Sequence, residues 1–239
     1  MNINKTILIT GSSKNLGDYL ANYYFEKKFN VIGVSKHKKS NVIKNSYICD
    51  LSNAKKVNVL FKKIKKKFKK IDLIISCAGN SKKTYAVNEN IDDWKSAFNN
   101  NFYSFVNLID AYAKIYKKKP TKIIAISSIA SSKITKAPIT YSVAKSALNF
   151  YAQFKAKELA KNNIKINILL PGNILMKNNN WASKLANDSN RTRKYINDNV
   201  PLNKFCTPDQ ISEMCDYLFG ESGDRITGSK FIIDAGESL

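Results

Sequence analysis

Short apolar runs and amphipathic stretches alternate along this chain from end to end. The runs are Thr6 to Thr10, Val31 to Val34, Tyr47 to Cys49, Leu73 to Ser76, Lys122 to Ser127, Ile164 to Leu170 and Lys230 to Ile233. They are rich in Ile, Leu and Val without in-and-out alternation, the pattern of strands covered on both faces. Between them, apolar residues recur at helical spacing near 16 to 28, 54 to 70, 91 to 116, 141 to 161 and 208 to 219. This order predicts an α/β fold, a doubly wound parallel sheet of about seven strands flanked by helices on both faces. No internal repeat and no Gly/Ser/Pro linker interrupts it, so a single domain is expected over residues 1–239. The Asn-rich stretch from Asn173 to Val200 fits neither period and is expected to be an irregular substrate lid on the ligand side of the sheet.

Composition adds mainly exclusions. With 239 residues, 44% hydrophobic and 24% charged, the chain can bury a core without staples and is not disordered. No apolar stretch approaches the ~20 residues of a membrane span, and the polar opening Met1-Asn2-Ile3-Asn4-Lys5 is unlike a signal peptide. A soluble, cytoplasmic protein without membrane association is expected. Four cysteines at 49, 77, 206 and 215 form no CxxC pair, and there is one histidine, so free thiols and no metal site are expected.

The formal net charge is +22, from 40 Lys+Arg against 18 Asp+Glu. Arginine occurs only at 191, 193 and 225, which leaves 37 lysines spread over nearly every segment. The densest run, Phe61 to Ile71, places Phe61, Ile64, Phe68 and Ile71 on one helical face and lysines on the others. That is a solvated helix back, so no nucleic-acid partner is expected, with a polyanion-binding protein as the rival reading.

Candidate chemistry begins after the first strand, where Thr10-Gly11-Ser12-Ser13-Lys14-Asn15-Leu16-Gly17 leads into a helix. A strand, a glycine turn and a helix N-terminus suit a pyrophosphate, although alone they are weak evidence of one. This segment resembles the TGxxxGxG turn of the short-chain dehydrogenase/reductase family, with Asn15 in place of the middle glycine; Asn tolerates left-handed backbone angles. Cys49-Asp50-Leu51 resembles the family's Asp-Val/Leu, whose Asp contacts adenine. Cys77-Ala78-Gly79 resembles its Asn-Ala-Gly, with Cys77 in place of the Asn that braces the sheet, and is expected to hold a buried structural thiol. Pro171-Gly172-Asn173-Ile174 resembles the Pro-Gly turn whose backbone near Ile174 meets the nicotinamide carboxamide, and Met176 stands where Thr is usual. Thr227-Gly228 and Asp234-Ala235-Gly236 resemble the C-terminal elements.

The resemblance runs from residue 6 to about 236 and implies a single-domain Rossmann-type fold and a nicotinamide dinucleotide cofactor. The implied contacts are Gly11, Ser13, Lys14, Asn15, Leu16, Gly17, Ser35, Lys36, Asp50, Leu51, Cys77, Ala78, Gly79, Tyr141, Lys145, Pro171, Gly172 and Ile174. NAD-specific members usually carry an acid at the end of strand two. Val34-Ser35-Lys36-His37-Lys38 has none, and Lys36 and Lys14 match positions that are basic in NADP users, so NADP(H) is expected over NAD(H). His37 is a lesser candidate for the extra phosphate.

The YxxxK signature decides nothing by itself, because about two such pairs are expected by chance in so lysine-rich a chain. Tyr23/Lys27, Tyr24/Lys28, Tyr141/Lys145 and Tyr151/Lys155 all qualify. Only Tyr141 has a serine 13 residues earlier that follows an apolar strand, Ser128. A lysine one helical turn from a tyrosine is expected to stabilise the phenolate and lower its pKa. The resemblance makes Tyr141 the general acid/base, Lys145 the ribose and proton partner, Ser128 the substrate-oxygen donor, and Asn101 the fourth member in the proton relay; Asn99 and Asn100 compete with Asn101 for that place.

An oxidoreductase moving hydride between the nicotinamide and a ketone or secondary alcohol follows. The substrate is expected to be a sugar or nucleotide sugar of surface-glycan synthesis, or alternatively a 3-oxoacyl-carrier-protein. Lid charge is no guide, since it matches the chain average, but two of three arginines, Arg191 and Arg193, fall there. Trp181 and Leu185 either cap a pocket or pack the lid down. A homo-oligomer, tetramer or dimer, is implied through the helices at 91 to 116 and 141 to 161. A catalytically silent scaffold is the alternative of another class.

Overall fold

In a computed structural model the described residues are 5–40, 42–81, 89–117, 119–176 and 180–239, with the side chains of 180 and 185 outside the description. Seven parallel strands form one sheet in the order β3-β2-β1-β4-β5-β6-β7. They are β1 (Thr6–Thr10), β2 (Asn30–Ser35), β3 (Asn45–Ile48), β4 (Leu73–Ser76), β5 (Thr121–Ile126), β6 (Ile164–Pro171) and β7 (Lys230–Ile233). The chain winds outward from β1 to β3, then returns to add β4 on the other side. This reversal opens a crevice at the carboxyl ends of β1 and β4.

The absence of alternation has the expected cause. Leu8 and Ile74 point into one core while Ile7, Ile9, Leu73 and Ile75 point into the other, so both sheet faces need apolar residues. The first core is closed by α2 (Ala54–Lys67), α4 (Ser104–Tyr116) and α5 (Ile139–Leu159), the second by α1 (Asn15–Glu26) and α8 (Pro208–Phe219). In α2, Val57, Leu60, Phe61 and Ile64 are buried under the sheet and the intervening lysines face outward, as the period predicts. The Asn53 side chain caps α2 by accepting from the Lys56 N–H at 3.0 Å.

Two expectations change. The stretch expected as one helix over 91 to 116 is α3 (Ile91–Phe98) and α4 joined by a π-helical turn, Asn99–Tyr103. The stretch expected as irregular over 173 to 200 holds two short helices, α6 (Asn180–Asn187) and α7 (Ser189–Asn199). Asp188 separates them, its carboxylate accepting from the Arg191 N–H at 3.0 Å and so capping α7. Thr192 is the buried residue of α7, so that helix shows no apolar stripe by which the period could reveal it, and α6 is only eight residues long. Among the described residues no helix is long and apolar enough to cross a membrane.

Candidate active site

The glycine turn between β1 and α1 is shaped by close backbone approach. Gly11 has φ +70°, and a Cβ there would lie 3.0 Å from the Cys77 carbonyl oxygen; one on Gly17 would lie 2.4 Å from the Gly11 oxygen. Asn15, in place of the middle glycine, takes φ 52°, so it supplies the left-handed conformation that the turn needs. Lys14 precedes α1 without a side-chain cap, leaving the first N–H groups of the helix to face the turn. Lys14 and Asn15 are exposed, Ser13 is half-buried, and Leu16 is buried in the second core.

At the end of β2, Ser35 is buried and its hydroxyl donates to the Lys38 carbonyl, so it is turned into its own loop. Lys36 and His37 are exposed. Lys36 Nζ lies 3.0 Å from Asp50 Oδ2, which brings two predicted cofactor residues into one ion pair. Asp50 Oδ1 also accepts from the Ser52 N–H at 3.0 Å and hydroxyl at 2.8 Å. Burial pushes this carboxyl up, but Ser52 and Lys36 outweigh it and hold Asp50 below the usual carboxylate range. Leu51 is buried, and its carbonyl accepts from Asn107 Nδ2 at 2.9 Å.

Beyond β4, the Ala78 N–H donates to Thr10 Oγ1 at 3.0 Å and ties the two central strand ends together. Burial pushes the Cys77 thiol up to about 12, so it is an unreactive thiol at neutral pH, as expected of a structural cysteine. A Cβ on Gly79 would lie 2.6 Å from Asn101 Oδ1 and 3.3 Å from Lys145 Nζ, so three predicted residues meet here. Asn101 is fully buried in the π turn. Its Nδ2 donates to the Asn80 carbonyl at 2.9 Å and the Ala97 carbonyl at 3.0 Å, while its Oδ1 accepts from the Asn80 N–H at 3.2 Å. Asn99 is exposed and Asn100 bonds Ser96, so of the three it is Asn101 that is buried beside Gly79 and Lys145.

Ser128 lies just past β5, its Oγ accepting from the Ala130 N–H at 3.2 Å. Tyr141, in the first turn of α5, faces Ser128, whose hydroxyl acts to lower its pKa. Lys145 is buried one turn on, and its Nζ donates to the Ile126 carbonyl at 2.8 Å. The expected lowering of the tyrosine pKa is not found: burial pushes Tyr141 up, and the Ser128 hydroxyl only partly offsets it. The reason is geometric, since Lys145 Nζ is held by Ile126 and stands 5.8 Å from the Tyr141 ring centre. Burial takes Lys145 itself down to about 8, with Cys77 acting against the shift.

A protein-family profile described as enoyl-(acyl carrier protein) reductase matches residues 16–238. The chain belongs to the short-chain dehydrogenase/reductase family. Among curated relatives, 3-oxoacyl-(acyl-carrier-protein) reductase FabG of Buchnera aphidicola subsp. Acyrthosiphon pisum is 28% identical, covering 99% of this chain and 98% of its own. Carbonyl reductase family member 4 of Xenopus laevis is 25% identical over 99% of both. Among solved structures, 4-hydroxyisoleucine dehydrogenase complexed with NADH superposes with a TM-score of 0.84 at 26% identity, covering 98% of this chain and 99% of that one. ElxO with NADP bound gives 0.87 at 24%, covering 98% of each, a likeness of fold. The protein is thus an oxidoreductase with the architecture its sequence predicted.

Around Ser128 and the start of α5 this short-chain dehydrogenase/reductase holds polar pairs that sequence reasoning missed. Glu89 accepts from the Thr140 N–H at 2.9 Å at the start of α5, and Asn149 Nδ2 donates at 2.7 Å to Ser131, whose hydroxyl returns to the Ser128 carbonyl at 2.5 Å. Neither pair has a sequence signal, because each joins segments far apart in the chain. After β6, the Gly172 N–H donates to the Ile233 carbonyl at 3.0 Å and Ile174 bridges Cys206. Met176 lines a cleft with Lys14, Asn15 and Tyr19, so the base of the lid reaches the glycine turn. Trp181 packs the lid down: its ring centre is 4.6 Å from Phe205 and 5.0 Å from Tyr195. The Leu185 side chain lies outside the described residues, and Arg191 and Arg193 are exposed.

Proposed function

We propose that the protein is an NADP(H)-dependent carbonyl reductase with Tyr141 as general acid/base, and Ser128, Lys145 and Asn101 completing its machinery. The observation that carries this is the meeting of Ser128, Tyr141, Lys145 and Asn101 at the carboxyl ends of β4 and β5. A glycine turn whose Cβ positions are closed by backbone, beside an uncapped helix N-terminus, fits a dinucleotide pyrophosphate. Lys14 to Gly17 would hold it there. When bound, the dinucleotide supplies hydride to the carbonyl carbon. Ser128 Oγ and the Tyr141 hydroxyl orient the carbonyl oxygen, and Tyr141 gives it a proton. Lys145, with its pKa near 8, is poised to restore that proton at neutral pH. Asn101 fixes the Asn80 backbone beside it.

The cofactor preference rests on this chain's own residues. The buried Ser35 offers no carboxylate to a ribose hydroxyl, while Lys36 stands exposed at the same strand end. For the substrate, the 3-oxoacyl thioester reading is supported by the names of several curated relatives. A keto-sugar nucleotide is the second reading, supported by Arg191 and Arg193 on α7, whose guanidinium groups suit a diphosphate. Ile139, Val143, Phe150 and Phe154 are exposed at one-face spacing on α5, which supports a homo-oligomer that buries this stripe.

The test is a fluorescence titration with NADPH and NADH, followed by turnover of 3-oxoacyl thioesters and keto-sugar nucleotides with the tighter cofactor. Tight NADPH binding with thioester turnover is expected. Binding of neither dinucleotide would leave a silent scaffold as the reading. Sedimentation of Phe150→Asp beside the parent protein tests the oligomer, and the variant is expected to sediment as a smaller species.

A further inference from the structure

Glu237 takes no part in the chemistry above, yet its side chain is the centre of a connected polar cluster. Both carboxylate oxygens accept from one residue: Oε2 from the Asn173 backbone N–H at 2.8 Å, and Oε1 from the Asn173 side-chain Nδ2. Asn173 Oδ1 in turn accepts from the Trp181 indole Nε1–H at 2.8 Å. The Tyr195 ring lies 5.0 Å from the Trp181 ring, and its hydroxyl faces Asn173 and the Glu237 carboxylate. The cluster thus spans four parts of the chain: the segment after β7, the Pro-Gly turn after β6, α6 through Trp181 and α7 through Tyr195. Its base is fixed from outside, since the Glu237 N–H donates to the Asp234 carbonyl at 3.0 Å and the Glu237 carbonyl accepts from Lys133 Nζ at 3.0 Å. Room is made for it by Gly172, where a Cβ would stand 2.6 Å from Oε2.

We infer that Glu237 is a positioning residue that clamps the lid helices α6 and α7 to the Pro171-Gly172-Asn173-Ile174 turn and so sets the substrate-side wall of the site. The role calls for a carboxylate. Because both oxygens accept from Asn173 donors, Gln would turn its NH2 toward one of those N–H groups, and Asp would be a methylene short. Burial raises the Glu237 carboxyl, with the Asn173 N–H opposing the shift; Asp234 raises it further, Lys133 lowers it, and the Tyr195 hydroxyl completes the groups that face it. A carboxylate kept in such surroundings indicates that its two hydrogen bonds repay the burial.

The consequence for substrate rests on the reductase reading, but the clamp itself can be read without cofactor or substrate. Trp94 and Trp181 are the two tryptophans of the chain, so Trp94→Phe leaves Trp181 as the sole reporter. In this background Glu237→Ala is expected to shift Trp181 emission to the red and to raise its quenching by acrylamide. Glu237→Gln is expected to give a smaller change in the same direction, and Tyr195→Phe to reproduce part of it from the far side of the cluster. If Glu237→Ala fails to fold, the Gln variant decides. Unchanged Trp181 emission in the folded variants would overturn the clamp, whatever the activity. With turnover measured, Glu237→Ala is expected to raise the substrate KM about tenfold, the size of a lost charged hydrogen bond, while kcat changes less. A fall in kcat at constant KM, the mark of merely fewer folded molecules, would also overturn it. Red-shifted emission together with a wild type that reduces no carbonyl would support the clamp and remove only the reductase reading.

Discussion

The catalytic floor and the lid are built on different principles. Ser128, Tyr141, Lys145 and Asn101 stand at the ends of β5, α5 and the π turn, elements whose other residues are rooted in the large core with Ala125, Leu148, Ala152 and Phe105. The lid is two short helices held by three aromatic rings and the Glu237 cluster, with Thr192 buried and most of α7 in solvent. The proposed chemistry depends on sub-ångström placement and sits where displacement would break a core, whereas the part proposed to select the substrate is cheap to move.

That contrast can be broken or sharpened by substitution. Tyr141→Phe is expected to cost about 10²- to 10⁴-fold in reductase turnover, the range of a lost general acid, with NADPH affinity and thermal stability retained. Turnover near the parent value would move the acid elsewhere. Leu148→Ala, beneath the floor, is expected to cost about 2–5 kcal/mol of stability in urea unfolding. Arg193→Ala on the exposed lid helix should cost less than about 0.5 kcal/mol. Equal costs would erase the distinction between the regions.

Proton linkage gives a third test. Burial depresses Lys145 to about 8 in the folded chain against the ordinary lysine value of 10.5, so its neutral form is favoured by folding. The stability contributed is present above the unfolded value and lost as pH falls through about 8. Lys145→Met is therefore expected to flatten the stability-against-pH curve between those values. Carbonyl reduction by the parent protein should also decline as pH rises past about 8, because the ammonium proton is then gone. The smallest effect concerns the nucleotide end. Lys36→Ala is expected to weaken NADPH binding by about 1 kcal/mol, the size of an exposed charge contact, and NADH binding less. Equal weakening of both would assign Lys36 to Asp50 alone.

Much of the floor could be read in the sequence because it is local. The glycine turn, Ser128 before Tyr141, and Lys145 one turn later are fixed by spacing within or just beyond one element, and each element carried its own periodic signal. Asn15 could be placed because the left-handed angle is a single-residue property, and its φ of 52° follows. The tyrosine pKa could not be read that way. Spacing put a lysine on the same helix face, but the direction of its side chain was decided by the Ile126 carbonyl of another strand. Likewise Lys36 and Asp50, read separately, turned out to neutralise each other.

The lid was read as irregular for a related reason. Helix periodicity is hard to see in short, Asn-rich segments, and α6 and α7, eight and eleven residues long, are anchored by the contacts of Trp181 to Phe205, Tyr195 and Asn173. The sequence by itself therefore determined the α/β order, the family and the proximity of the residues proposed for the chemical step, because each rests on local spacing and on the demand that apolar runs be buried. Only the tertiary structure decided the protonation balance of Tyr141 and Lys145, the Lys36 and Asp50 pair, and the clamp on the lid. Those depend on which polar atoms, 14 to 64 positions apart in the chain, are forced together once water is excluded.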